Sequence, residues 1–186
     1  MYGQEVGLFS NQIAIYLAAY VVGGAVAQYP VGWAADKYDR RKVLLALSLL
    51  ATPTTVAAIL LADQGPWANY AAIAAFGFAT MPIYSISTAH AHDYASSMER
   101  VELSAALMFL YAVGAIASPY VASVLIEGFG PAAMFVMIAA AHVLLIAFGL
   151  ARMAARPSPG NVTAYTYEPR TSFIIGRLLG WARDRP

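Results

Sequence analysis

Asp36, Lys37, Asp39, Arg40, Arg41 and Lys42 crowd into seven consecutive positions of a chain that is 60% hydrophobic. In the plain reading Asp36 is a carboxylate at a helix end, solvated or neutralised by Lys37 or Arg40, a contact that contributes ~0–1 kcal/mol if exposed. A second set of residues is polar and aromatic. Gln12, Tyr16 and Tyr20 recur every four residues, Tyr84 and Thr88 share that spacing, and Ser104, Tyr111 and Ser118 recur every seven. On a helix such spacings gather each set on one face. Tyrosine can stack on a ligand while offering a hydroxyl, so these stripes could hold a small solute. The plainer reading is interfacial tyrosine and helix-to-helix hydrogen bonding, and residue by residue it stays open.

His90, His92 and Asp93 invite a metal reading. The spacing rejects it, because residues two apart on a helix point to nearly opposite sides and no third ligand is close in sequence. His142 lies near the middle of a long apolar run, where an ionisable residue is a functional candidate by default. Its two readings are a proton relay and a neutral imidazole bonded to a neighbouring helix. The chain has no cysteine, which excludes disulfides and thiolate metal sites. A membrane-embedded enzyme would need a clustered nucleophile and base or a His and Asp metal set. Neither is found, and no cofactor is implied.

The elements that must position these residues are five apolar runs, at about residues 11–35, 43–62, 67–91, 101–126 and 131–153. Each is long enough to cross a bilayer, which needs about 20 residues at ~1.5 Å rise per residue. The runs are rich in Ala and Leu and lack period-2 alternation. The expected fold is therefore all-α: a polytopic transmembrane bundle of five helices in contact with lipid. Gly23, Gly24 and Ala27 would let neighbours approach the first helix closely. Pro30 and Pro53 fall inside the first and second helices, and Pro82 is expected to interrupt the third. Pro66 and Pro131 suit the opening of the third and fifth. Residues 1–10 form a short external segment without the basic region of a cleavable signal.

Eleven Lys and Arg against ten Asp and Glu give a net charge of +1, too balanced for nucleic-acid binding. Their placement is informative. Lys37, Arg40, Arg41 and Lys42 lie in the first connection, Arg100 in the third, and the other six from Arg152 onward. The turns at Asp63 and Glu127 have none. Basic residues on alternate connections put the amino terminus outside and the carboxyl terminus in the cytoplasm of a plasma (bacterial inner) membrane.

Gly32, Asp36, Lys37, Arg40 and Arg41 match five of six positions of the loop signature Gly-x-x-x-Asp-(Arg/Lys)-x-Gly-(Arg/Lys)-(Arg/Lys). The stretch thus resembles the hallmark of the major facilitator superfamily. Asp39 stands where that family has glycine. The glycine leaves the helix with positive φ, and Asp is among the few other residues that tolerate this. Gly114, Ser118 and Pro119 resemble the family's Gly-x-x-x-Gly-Pro bend, and Gly128 and Gly130 precede Phe135. The resemblance covers roughly residues 8–156 and is similar to the YcaD-like branch.

The resemblance implies a fold of twelve helices in four three-helix repeats. Five helices with the loop after the first, followed by a basic tail, look like helices eight to twelve, most of the carboxyl-terminal half. The first, third and fourth helices would then line a central cavity, with Gln12, Tyr16, Tyr20, Tyr84, Thr88, Ser104, Tyr111 and Ser118 facing a small-molecule solute. Asp36 would be a gate whose contacts exist in one state and break in the other. The second and fifth helices would pack outside, which favours the neutral reading of His142.

The expected function is secondary transport by alternating access, coupled to protons. Because no acidic residue lies deep in any helix, a coupling carboxylate must lie elsewhere. An uncoupled facilitator is the alternative within transport, and a non-transporting scaffold or incomplete gene product the alternative outside it. The partner is the missing amino-terminal half or a second copy. In the tail, 154–186, the apolar residues Phe173, Ile174, Ile175, Leu178, Leu179 and Trp181 could share one face of an amphipathic helix at 171–184. A tail without order is the alternative.

Overall fold

The computed structural model describes Gly3 and residues 6–62, 64–96 and 98–155. Five helices run through them: α1 (Ser10–Lys37), α2 (Arg40–Leu60), α3 (Pro66–His92), α4 (Arg100–Phe129) and α5 (Ala132–Ala155). All five are long and apolar enough to cross a membrane. No strand occurs among the described residues. The tail expected to carry an amphipathic helix at 171–184 lies outside them.

The helices begin and end further into the charged connections than hydropathy alone suggests. Lys37 is the last residue of α1 and Arg40 the first of α2, so only Tyr38 and Asp39 link them. Charged residues continue a helix readily at its ends, where side chains reach out of the apolar layer. Pro131 precedes α5 as a turn residue, and the helix starts at Ala132.

The internal prolines do not break their helices. The expected interruption at Pro82 is absent: α3 is continuous across it, and Pro82 is buried. Packed neighbours let a span tolerate the carbonyl that such a proline frees four residues earlier, here those of Leu49 and Phe78. Around Pro53, the hydroxyls of Thr52, Thr54 and Thr55 donate to the carbonyls of Ser48, Ala51 and Ala51.

The tightest packing is between α1 and α3. Burying Leu against Leu gains little over burying it in lipid, so membrane helices associate where small residues allow backbones to touch. A Cβ added to Gly23 would stand 1.9 Å from the Ala74 carbonyl oxygen, and one on Gly77 would stand 2.1 Å from that of Tyr20. Gly24 likewise lies under Met81. Two buried clusters flank this crossing. Tyr16, Ala58, Tyr70, Ile73, Phe76 and Phe135 fill one end of the bundle, and Ala27, Val31, Ala35, Val43, Leu47 and Ile86 the end that bears the charged connection.

From that centre the bundle thins outwards. Helix α2 packs on α3 and on α5, and α4 rests on α5 with lighter contact to α3. Only Ala122 and Ile126 of α4 are buried.

Candidate functional site

The charged residues converge at one end, where α1 stops, α2 starts and α3 stops. Tyr38 leaves α1 in an extended conformation (φ −118°, ψ 165°). Asp39 follows at φ −56° and caps α2, its carboxylate accepting from the Arg41 amide at 2.9 Å. The positive φ expected at Asp39 is therefore not used. The reason is chemical: glycine can only permit a turn, whereas Asp satisfies an orphan amide of the next helix and favours its positive end. Asp39 also pairs with the Arg41 guanidinium at 3.1 Å.

Arg40 reaches across to α3. Its Nη1 donates to the Ala89 carbonyl at 3.1 Å and to Oδ1 of Asp93, the C-cap residue of α3. Both side chains of this ion pair are largely buried, at 12% and 14% exposure. A guanidinium here also meets the negative end of the α3 dipole. Asp36 is held far more loosely. Its Oδ1 is 3.9 Å from Arg40 Nη2, and its side chain is 46% exposed. Lys37 does not neutralise it, since its ammonium lies over the Trp33 ring at 4.9 Å. An exposed pair at that distance contributes ~0–1 kcal/mol, whereas a charge-assisted hydrogen bond is worth about 1.5–3 kcal/mol. Asp93 is the anchor of Arg40.

Gly32 lies one turn before Asp36, and a Cβ placed on it would meet nothing within 4 Å. The signature glycine and carboxylate thus share an open face. On the next connection, the Ser96 hydroxyl and amide donate to Glu99 at 2.6 and 2.9 Å, and these bonds, the hydroxyl's first, hold the Glu99 carboxyl below its ordinary pKa.

The polar stripes are brought together in part. Tyr20 of α1 is within 3.4 Å of the Thr80 hydroxyl of α3. The rings of Tyr84 and Tyr111 join α3 to α4 with centroids 5.0 Å apart. Ser104 bonds His92 Nε2 at 3.2 Å and donates to the Arg100 carbonyl at 2.8 Å. Tyr16 is instead buried in the core beside Phe76. The Gln12 side chain accepts the Phe9 amide at 2.9 Å at the start of α1. Thr88 is partly buried, and Ser118 and Pro119 are exposed. A Cβ on Gly114 would also meet open space. His142 Nδ1 is buried and has no hydrogen-bond partner among the described residues. No group of three or more His, Cys, Asp or Glu that could hold a metal occurs among them.

Sequence reasoning missed Asp93 as a partner of Arg40. The available signal was its position: a carboxylate on the next connection at the basic end.

The profile of the Major Facilitator Superfamily matches residues 1–180. Among curated proteins, the chain is 25% identical over 159 residues to proteins named "Uncharacterized MFS-type transporter YcaD" from Salmonella typhi and Salmonella newport. These matches cover 86% of the chain and 40% of each relative, so the chain spans two fifths of their length. No solved structure matches it. With five helices able to span a bilayer and a family profile along almost its whole length, the chain is an integral membrane protein and belongs to the major facilitator superfamily.

Proposed function

We propose that this chain is the carboxyl-terminal part of a secondary transporter that moves a small solute by alternating access, and that Asp36 is its gate. The observation that carries the reading is the contrast between Asp36 and Arg40. Arg40 is committed to Asp93 and to α3, while Asp36, on the open face it shares with Gly32, has only a weak contact among the described residues. A carboxylate so placed can gain a strong partner from helices outside these five in one state and lose it in the other. That differential contact is what shifts a two-state equilibrium.

The remaining helices come from the rest of a longer transporter or from a second copy. They cover the face formed by α1, α3 and α4, where Tyr20, Tyr84, Tyr111 and Ser104 line the solute route with Ser118 and Thr88 beside them. The likeness to MFS-type transporters more than twice as long supports this assignment. The amino terminus faces outwards and the basic end the cytoplasm, a reading supported by the placement of the eleven Lys and Arg on alternate connections. Proton coupling uses a carboxylate supplied by the other helices, because Glu102 and Glu127 of α4 both lie near its ends.

The test is reconstitution. The 186-residue chain in liposomes should take up none of a panel of labelled sugars, amino acids and amphipathic cations, and should do so once the missing helices are fused or co-expressed. Uptake by a demonstrated monomer of this chain would overturn the reading. Uptake by a dimer alone would identify the second copy as the partner, and uptake without accompanying proton flux would make the transporter a facilitator.

A further inference from the structure

At the basic end of the bundle, the packing of α2, α3 and α5 leaves a cavity of about 570 Å³. It is polarised along the helix axes. Its rim carries Arg41 from α2, His90 from α3 and Arg152 from α5, and among the described residues no carboxylate lines it. Leu145 and Phe148 of α5 form much of the apolar wall. Leu145 lies seven residues, or about 10 Å, along α5 from Arg152. Both wall residues are exposed, and α5 is long and apolar enough to cross a membrane, so the cavity opens along a membrane-spanning helix. Charge at the end of the span and apolar surface ~10 Å deeper match the anatomy of an amphiphile.

The cations are not equivalent. Arg41 already pairs with Asp39. Arg152 makes no hydrogen bond or ion pair among the described residues, although it faces a site with two other basic side chains. A guanidinium presents a planar fork suited to phosphate oxygens. Basic pockets between spanning helices are suited to anionic head groups.

We propose that this cavity binds an anionic phospholipid, its phosphate between Arg152 and Arg41 and an acyl chain along Leu145 and Phe148. The chain's own tail is a poor occupant, because residues 156–186 carry five arginines against Glu168 and Asp184 and would bring like charge to the rim. A free phosphate would leave the apolar wall uncovered. A zwitterionic lipid would bring a cation of its own beside Arg152 and leave the site no net anion to pair with it. The site is separate from the Asp36 face, so it does not depend on the transport reading.

Native mass spectrometry of the full 186-residue chain in detergent, titrated with dioleoyl phosphatidylglycerol or dioleoyl phosphatidylcholine, tests this. The chain should retain phosphatidylglycerol several-fold more tightly. Arg152→Gln should weaken that binding about fivefold, the effect of one basic residue near a lipid surface. Lys42→Gln removes the same charge from an exposed residue of the same end that does not line the cavity, and should leave it unchanged. Arg152→Lys should retain most of the preference and shows that the site is intact. Equal retention of the two lipids would overturn the proposal. So would equal weakening by Arg152→Gln and Lys42→Gln, which means surface electrostatics alone. Displacement of the lipid by an equal concentration of glycerol phosphate would assign the site to a soluble anion instead.

Discussion

Arg40 and Asp93 open and close different helices, yet the guanidinium of the first is bound directly to the carboxylate of the second. The pair ties the start of α2 to the end of α3. The same Nη1 donates to the Ala89 carbonyl, so Arg40 also caps α3. This fixes the register of the charged connection and leaves Asp36 at its edge. A stable anchor beside a loosely held charge is a sound base for a gate, because the loop can change partners without unravelling the helices that carry it.

The anchor should dominate stability. Asp93→Asn should lower the thermal stability of the purified chain by about 1.5–3 kcal/mol, since it weakens a mostly buried charge-assisted contact. Asp36→Asn should cost less than ~1 kcal/mol. Denaturation in mild detergent, followed by intrinsic fluorescence, ranks the two. Equal losses would mean that Arg40 divides itself between both carboxylates.

Function should invert that ranking. In a complete transporter, Asp36→Asn should slow solute uptake and shift the resting population towards inward-facing while leaving insertion unaffected. Spin-label distances across the two openings report the population. Uptake at the parental rate would reduce Asp36 to a helix-end charge.

Orientation can be read by labelling. Cysteines replacing Gln64 and Gly128 should react with an impermeant thiol reagent added outside intact cells, and one replacing Met98 should not. Gln64 is preferable to Gly65, whose φ of +98° disfavours any side chain. External labelling of Met98→Cys would reverse the proposed topology.

The glycines should separate into two classes. Gly77→Val drives a side chain into the Tyr20 carbonyl and should cost about 1–3 kcal/mol, seen as loss of the monodisperse peak in size-exclusion chromatography. Gly114→Ala meets open space and should leave the isolated chain unharmed, or firmer by up to ~1 kcal/mol through helix propensity. In a complete transporter, larger residues at Gly32 or Gly114 should impair uptake if the other helices pack there.

Hydropathy and length made the five helices legible, because a span is a local property: some 20 apolar residues suffice whatever lies beside them. The charged connection was equally legible as a motif, since its residues are neighbours in sequence. What those charges do was not. The choice of Asp93 rather than Asp36 for Arg40 depends on where α3 ends relative to the start of α2, and the close crossing of α1 with α3 through Gly23, Gly24 and Gly77 helps set that. Periodicity likewise put Tyr16 and Tyr20 on one stripe, whereas packing buried Tyr16 in the core and left Tyr20 against Thr80. A stripe on an isolated helix names a face; only the neighbouring helix decides which part of that face becomes core and which stays open. Asp39 shows the same division on a smaller scale. Sequence marked it as a substitute for a turn glycine, and the backbone, free to place α2 only two residues after α1, made it a cap.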